Sequence, residues 1–343
     1  MKRRGLSRAT SAWVKAFNRN LRAATRAAAK RPRPPRPVRP RTTASASPAR
    51  TGDWIPGLAM GPHGARRFRL YRPTGLQAGE TVPLLVMLHG CNQDAAAFAA
   101  STRMNALARR ERFMVLYPEQ DRLANAQRCW NWYETRNGRA LGEVALILAA
   151  IDQVCLLYPV DRTRIALAGL SAGAGMAALL ATRHPDRFQA VVMHSGVGPG
   201  MAASTATALA AMRGRRPPQP REPQAEPEPW PPLLVIQGGT DLVVSPRNGA
   251  AVAQMWAEHV GATTTAPRAV QRGQRHPMTV TDARRKGRTV VTLVEVPQLG
   301  HAWSGGAASQ AYSDPKGPDA SRMAWAFVLR QFRQRPTQEQ AQG

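Results

Sequence analysis

Residues 164–176 read RIALAGLSAGAGM, a short apolar run that leads into glycine, serine and alanine. A continuous apolar run of this length is typical of a buried strand in a parallel sheet. The small residues that follow predict a helix over residues 172–183. Ser171 lies between the two segments in the pattern G-x-S-x-G, which places a serine on a sharp strand-to-helix turn. The stretch therefore predicts an α/β protein with Ser171 as a candidate nucleophile.

Strands and helices alternate on both sides of this stretch. Strands are predicted at 66–73, 83–90, 113–118, 190–196, 233–239 and 289–297. Helices are predicted at 94–110, 142–156, 246–259 and 319–333. The alternation predicts a mostly parallel sheet with helices on both faces.

Composition divides the chain of 343 residues into unequal parts. The hydrophobic content of 43% allows a sizeable core, and no run of 18 apolar residues exists, so no membrane span is expected. The net charge is +27, and the first 50 residues supply 15 Lys and Arg with no acid. We predict a basic arm at 1–50, a catalytic domain at 51–336 with a proline-rich insertion at 198–232, and a tail at 337–343.

The arm has a pattern of its own. In residues 6–30, Leu6, Trp13 and Phe17 share one helical face and basic residues the other, which predicts an amphipathic helix on an anionic membrane or granule. Five prolines in residues 31–41 predict an extended linker. A solvated, disordered arm is the alternative interpretation, and the lack of acids also suits an organelle presequence. The apolar core of a secretory signal is missing.

The insertion at 198–232 interrupts the alternation of strands and helices. Residues 213–232 contain eight prolines in twenty positions, which excludes a helix or strand interior. We interpret the insertion as a loop. It either covers a site as a lid or forms a solvated excursion.

A serine hydroxyl needs a base, and two later residues supply candidates. Asp241 follows the strand at 233–239 and His301 follows the strand at 289–297, so the three residues occur in the order Ser, Asp, His. His301 would take the proton from Ser171, and Asp241 would fix the imidazole tautomer. A turn aspartate and a surface histidine are the alternatives. His194 ends a strand at the same edge and is a candidate for lining the pocket.

Acyl transfer also needs donors for the developing oxyanion. The backbone N–H of Ala172, directly after the serine, is one candidate. The second is the N–H of Cys91, in the loop HGCN at 89–92, where Gly90 allows close approach of the backbone. His89 is expected to orient this loop rather than to carry a proton.

Four motifs together resemble one family: LHGCNQD (88–94), RCWNWY (128–133), YPVDRTRIALAGLSAGAGM (158–176) and GHAWSGG (300–306). They resemble the poly(3-hydroxybutyrate) depolymerase family of α/β-hydrolase esterases, to which feruloyl and acetylxylan esterases are related. The resemblance covers roughly residues 54–334. It implies a triad of Ser171, Asp241 and His301 that hydrolyses hydroxyalkanoate esters without a metal or organic cofactor. It also implies an extracellular location, with a cytoplasmic or granule-associated protein as the alternative.

The resemblance extends to cysteines. It implies a disulfide between Cys91 and Cys129, which would hold the loop at 89–92 against the segment around residue 130. Two reduced buried thiols are the alternative. Cys155 lies in an apolar helix and is expected in the core.

Three tryptophans are candidates for substrate binding. Trp303, two residues after His301, is expected to form an apolar wall for the substrate. Trp130 and Trp132 either line the same cleft or belong to the core, because indole rings bury a large apolar area.

Three other functions compete with a polyester esterase. A feruloyl or acetylxylan esterase would share the acyl-transfer residues and differ in the pocket walls. A nucleic-acid-binding protein is suggested by the charge, but the excess lies in the arm and no stacking groove is visible, so only non-specific binding is expected. An interaction protein on a degenerate hydrolase scaffold is the third, and the complete triad argues against it.

Overall fold

The computed structural model describes residues 52–216 and 229–334. The basic arm at 1–50, the tail at 337–343 and residues 217–228 of the proline-rich insertion lie outside the described residues. The helix, linker and surface-binding predictions for the arm therefore stay predictions.

The described residues form strands and helices in alternation. The strands are β1 (Asp53–Gly61), β2 (Gly64–Arg72), β3 (Val82–Leu88), β4 (Met114–Pro118), β5 (Val160–Leu170), β6 (Ala190–His194), β7 (Leu233–Gly238), β8 (Thr263–Thr264), β9 (Arg268–Val270), β10 (Met278–Arg285), β11 (Arg288–Val296), β12 (Trp303–Ser304) and β13 (Ser313–Asp314). The helices are α1 (Ala95–Thr102), α2 (Met104–Glu111), α3 (Arg139–Leu157), α4 (Ala172–Arg183), α5 (Thr205–Met212), α6 (Arg247–His259) and α7 (Ala320–Gln334).

One large sheet organises the described residues. Its strand order is β1-β2-β4-β3-β5-β6-β7-β11-β10-β8, with β9 also paired to β10. The strands from β4 to β11 along this order are parallel, whereas β1, β2 and β10 pair antiparallel to their neighbours. Parallel strands put their carboxyl ends at one edge, where open α/β sheets carry their binding sites.

Hydrophobic side chains fill both faces of the sheet. Alternate residues of β3 point to opposite sides, so Leu84 joins one core cluster and Leu85 the other. Helices α3, α4 and α6 contribute to the first cluster, and α1, α2 and α7 to the second. The central strands are buried on both faces, which explains their continuous apolar sequence.

The elements differ from the sequence predictions in three ways. The helix predicted at 94–110 is two helices, because Arg103 adopts a left-handed φ of 56° between them. Six strands were not predicted: β1, β8, β9, β10, β12 and β13. The insertion, interpreted as a loop throughout, contains helix α5, whose start is stabilised by a reciprocal capping box between Ser204 and Thr207.

Helix α3 has 19 residues and a mean hydropathy of 2.0, enough by length and composition to cross a membrane. In the part of the chain that the structure describes, it is the one helix with these properties. However, 56% of that span is buried inside the protein, against the sheet and α4. These contacts are those of a core helix.

Candidate active site

Ser171 lies on a strained turn between β5 and α4. Its φ of 57° and ψ of −121° are unusual for a residue with a side chain, and its N–H donates to the carbonyl of His194 at 2.9 Å. The flanking glycines are needed for packing. A Cβ on Gly169 would lie 2.3 Å from the carbonyl oxygen of Gly173, and one on Gly173 would lie 2.1 Å from that of Leu88.

Asp241 and His301, which lie 60 residues apart, meet at the carboxyl edge of the sheet. The His301 Nδ1–H donates to Asp241 Oδ2 at 2.8 Å, and both side chains are almost fully buried. Asp241 Oδ1 accepts the N–H groups of Val243 and Val244 at 2.9 and 2.8 Å. Asp241 thus shapes its own turn and also orients the imidazole, so that Nε2 stays available on the other side of the ring.

The carboxyl of Asp241 is held in its charged form. Burial opposes ionisation, but the charge and hydrogen bond of His301 and the N–H groups of Val243 and Val244 keep its pKa below the usual value. An ionised carboxylate at Nδ1 favours the neutral tautomer that has a free Nε2, and it stabilises the imidazolium if one forms.

Ser171 and His301 line the same small cavity. Gly90, Cys91 and Tyr312 also belong to its walls. This cavity brings together the candidate nucleophile, the candidate base and one of the two predicted oxyanion donors. The other predicted donor, Ala172, is the first residue of α4 and lines the adjoining cleft.

The loop at residues 89–92, which carries the predicted oxyanion donor Cys91 and is called the oxyanion loop below, is held by a disulfide and by hydrogen bonds of His89. Cys91 and Cys129 form the disulfide that the family resemblance implies. His89 accepts the N–H of Gln120 through Nε2 at 3.1 Å and donates through Nδ1 to the Gly90 carbonyl at 2.8 Å. Burial lowers the pKa of His89 to about 4, so the ring is neutral, as an orienting role requires.

A buried polar network supports this loop from behind. The carboxylate of Glu143 accepts from the Gln120 side chain at 2.6 Å and from the backbone N–H of Asn131 at 2.9 Å. Gln120 also donates to the carbonyl of Cys129 at 3.1 Å. The motif RCWNWY is therefore fixed by contacts that sequence reasoning missed. The one signal in the sequence is Glu143, an acidic residue near the start of a mainly apolar helix.

The histidine loop, residues 297–306, is held by stacking and hydrogen bonds instead. The Trp303 ring stacks on His194, with centroids 5.1 Å apart, and packs edge-on against Phe98. His194 Nε2 accepts the Ser304 N–H at 3.1 Å, and its Nδ1 contacts Ser195 Oγ at 3.1 Å. Burial lowers the pKa of His194 to about 3, so this ring is also neutral.

These contacts correct two expectations. Trp303 was expected to form a wall of the substrate cleft, but its side chain is fully buried and its N–H donates to Ser321 Oγ. His194 was a candidate for lining the pocket, and it is fully buried beneath the histidine loop. The Trp303 side chain turns inward because a large aromatic surface is buried more favourably in the core than at the mouth of the site. His194 is held in the core by its contacts with Ser304 and Ser195.

An apolar cleft opens beside Ser171, with about 600 Å³ of space counted out to its mouth. Trp130 and Trp132 line this cleft and also belong to the core. Both interpretations of these two residues are therefore correct. The other walls are mainly neutral or apolar: Cys91, Asn125, Gln127, Cys129, Tyr133, Ala172, Val197, Thr205, Ala208, Leu209, Met212 and Val244. Helix α5 of the insertion thus forms one side of the cleft through Thr205, Ala208, Leu209 and Met212.

In residues 52–216 and 229–334, no group of three or more His, Cys, Asp or Glu side chains is placed to hold a metal ion. Cys155 lies half-buried in α3, at the edge of the core.

A solved structure and a family model identify the fold and the family of this chain. The acetyl xylan esterase from Aspergillus awamori superposes with a TM-score of 0.59 at 18% identity, covering 73% of this chain and 94% of its own. The protein has the α/β-hydrolase fold, as the sequence predicts. The model of the esterase PHB depolymerase family matches residues 66–271, and the chain belongs to this family.

Curated relatives agree with the family. Poly(3-hydroxyalkanoate) depolymerase C of Paucimonas lemoignei is 31% identical over 205 residues, which is 56% of this chain and 48% of the relative. Feruloyl esterase B of Neurospora crassa is 26% identical over 195 residues, which is 52% of this chain and 65% of the relative. The chain thus spans about half to two thirds of the length of these relatives.

Proposed function

We propose that the protein is a serine esterase that hydrolyses hydroxyalkanoate esters, with Ser171, His301 and Asp241 as its catalytic triad. The observation that carries the proposal is the buried Asp241–His301 hydrogen bond of 2.8 Å at a cavity that Ser171 also lines. A strained serine, an oriented imidazole and an ionised carboxylate are the parts that acyl transfer requires.

The proposed reaction has two halves. His301 Nε2 takes the Ser171 hydroxyl proton as Oγ attacks the ester carbonyl, and the backbone N–H groups of Cys91 and Ala172 donate to the resulting oxyanion. His301 then gives the proton to the departing alcohol, which leaves an acyl ester on Ser171. Water, deprotonated by the same imidazole, attacks the acyl carbonyl and releases the carboxylic acid and free serine.

The walls of the cleft support the proposed substrate class. Its described lining contains no charged side chain, and Trp130, Trp132 and Leu209 offer apolar contact. A neutral aliphatic ester suits these walls. The 31% identity to poly(3-hydroxyalkanoate) depolymerase C favours a hydroxyalkanoate polyester or oligomer. A feruloyl or acetylxylan ester is the second candidate, favoured by the aromatic walls and by the relatives that carry those names.

The test compares wild type and Ser171→Ala on p-nitrophenyl esters, hydroxybutyrate oligomers and feruloyl esters. We expect the variant to lose at least about a thousandfold in kcat, since nucleophile and base act as a unit. The ester with the highest kcat/KM decides the substrate class. Equal activity of the two proteins would contradict the assignment of Ser171. No wild-type activity on any ester would favour a binding role on a hydrolase scaffold.

The disulfide supports an extracellular location, because such bonds persist in oxidising compartments. The basic arm would then attach the enzyme to an anionic membrane or granule. Deletion of residues 1–50 should abolish this association and spare the hydrolysis of a soluble ester. Full association of the truncated protein would contradict the role of the arm.

A further inference from the structure

A second, open cavity lies apart from the proposed active site, and its space including adjoining solvent is about 1110 Å³. Its walls come from α1 and α2, the segment at 271–277, the first residue of β10 and the start of α7. It shares no lining residue with the cleft or with the cavity of Ser171 and His301. The proposed esterase chemistry leaves this cavity without a role.

Guanidinium groups dominate the charge of this cavity. Its lining includes one carboxylate, Asp319, and five arginines: Arg103, Arg110, Arg272, Arg275 and Arg322. Arg322 pairs with Asp319 at 3.7 Å, and Arg110 pairs with Glu111 at 2.9 Å.

The other three arginines of the cavity have no such partner. Within the described ranges, no carboxylate lies within 4.0 Å of the guanidinium of Arg103, Arg272 or Arg275. Like charges that converge on one cavity repel each other, so the arrangement favours a bound anion.

Two of these guanidinium groups are already oriented by the fold. Arg103 donates to the carbonyl of Gly305, and Arg275 Nη1 donates to the carbonyl of Gly317 at 2.7 Å. Each group has five N–H donors, so further donors remain for a ligand. An oriented guanidinium loses less entropy on binding than a free one, and its planar fork matches carboxylate and phosphate oxygens.

The remaining walls are mostly apolar, with the hydroxyl residues Thr102 and Ser321 as exceptions. Leu107, Met278 and Met323 line the cavity together with Ala106 and Pro318. We propose that the cavity binds a small amphiphilic anion, whose phosphate or carboxylate group is held by the arginines and whose apolar part contacts Leu107, Met278 and Met323. The methionine side chains adapt readily to apolar groups of different shape.

Calorimetric titration of the full chain with phenyl phosphate and with benzoate tests the proposal. We expect saturable binding with one site per chain, and at least tenfold weaker binding by the double variant Arg272→Ala/Arg322→Ala. The matched control is Arg284→Ala/Arg285→Ala, which removes the same charge from exposed residues at the far end of β10, about 20 Å from Met278. This control should bind as wild type does.

Two outcomes would overturn the proposal: no saturable binding of either ligand by wild type, or equal weakening in both double variants. Thermal melting followed by circular dichroism verifies that the variants fold. Both should hydrolyse p-nitrophenyl esters as wild type does, so a failure here is distinguishable from a failure of the proposed esterase function.

A vesicle assay identifies the source of the anion. Stronger sedimentation of wild type than of Arg272→Ala/Arg322→Ala with phosphatidylglycerol vesicles would assign the site to a lipid headgroup. Equal sedimentation, with the difference in phenyl phosphate binding retained, would assign it to a free small anion. Both proteins carry the basic arm, so binding of the arm to the vesicles contributes equally to their sedimentation.

Discussion

The oxyanion loop and the histidine loop both lie beside Ser171, and a buried histidine anchors each of them. Each of these histidines is neutral and accepts a backbone N–H through Nε2. His89, within the oxyanion loop, accepts that of Gln120, and His194, beneath the histidine loop, accepts that of Ser304. A neutral imidazole is useful here because it is both donor and acceptor and costs less to bury than a charge.

The two loops differ in the other contacts that hold them in place. The oxyanion loop is tied by the Cys91–Cys129 disulfide and by the network of Glu143, so its position depends on a covalent bond and on buried hydrogen bonds. The histidine loop depends on the packing of Trp303 against His194 and Phe98. The comparison teaches that one side of the proposed site should respond to redox conditions and the other to core packing.

The largest effect should come from Asp241→Asn, which keeps the shape of the histidine loop but removes the charge beside His301. We expect kcat to fall by about 10³–10⁴-fold with KM little changed, because the imidazole loses its productive tautomer. Steady-state kinetics on a p-nitrophenyl ester measures this. Asp186→Asn, on an exposed turn, is the control and should be silent. A loss below tenfold in Asp241→Asn would contradict the triad.

Removal of the disulfide tests what holds the oxyanion loop in place. Cys91→Ser/Cys129→Ser should lower the free energy of unfolding by about 3–4 kcal/mol, because it frees a loop of 38 residues in the unfolded chain. Urea unfolding measures this, and Cys155→Ser is the matched control without a disulfide. We expect dithiothreitol to destabilise wild type and the control alike but to leave the double variant unchanged. Insensitivity of wild type to the reductant would disprove the redox dependence.

Substitution of His194 separates stacking from hydrogen bonding in the histidine loop. His194→Phe keeps a ring beneath Trp303 but leaves the Ser304 N–H without its acceptor, whereas His194→Gln can keep an acceptor without the ring. We expect kcat to fall by about 10–100-fold in His194→Phe, as for one lost buried hydrogen bond, with KM within about twofold. Partial recovery of kcat in His194→Gln would identify the hydrogen bond as the positioning contact. Full activity in both variants would show that this loop needs no such anchor.

The smallest effect concerns pH, and its sign follows from the buried histidines. Burial lowers the folded-state pKa of His89 to about 4 and of His194 to about 3. The unfolded chain therefore binds more protons below pH ~6.5, and stability falls as the pH drops from there toward the folded-state values. We expect a loss of about 1–2 kcal/mol for each histidine between pH 7 and pH 5.

Urea unfolding of wild type and His194→Phe at both pH values isolates the contribution of one histidine. The variant should lose less stability on acidification than wild type does. An identical pH dependence in the two proteins would show that His194 is not buried in its neutral form.

Prediction from sequence succeeded where local patterns carry the information. Helix α4 was predicted with the observed bounds, because the small residues after Ser171 mark its start and His184-Pro185 marks its end. The central strands were found because burial on both faces requires continuous apolar residues. Strand β1 was missed because Pro56 and Gly57 interrupt its pattern, although an edge strand tolerates both.

The candidate site also has parts that local sequence patterns predict and parts that they do not. That Asp241 and His301 would be neighbours was predictable, because each follows a parallel strand and the carboxyl ends of such strands share one edge. The direction of Trp303 was not predictable from its position beside His301. It is decided by Phe98 and His194, which lie far away in the chain and offer the indole a buried aromatic surface.

The sequence by itself determined the fold class, the turn that carries Ser171 and the order of the candidate triad, since these depend on local backbone preferences and on hydrophobic patterning. Only the tertiary structure decided which side chains face the cleft, which histidines are buried and neutral, and where the unpaired arginines converge. Burial and charge depend on neighbours that are distant along the chain, and a linear pattern does not contain those distances.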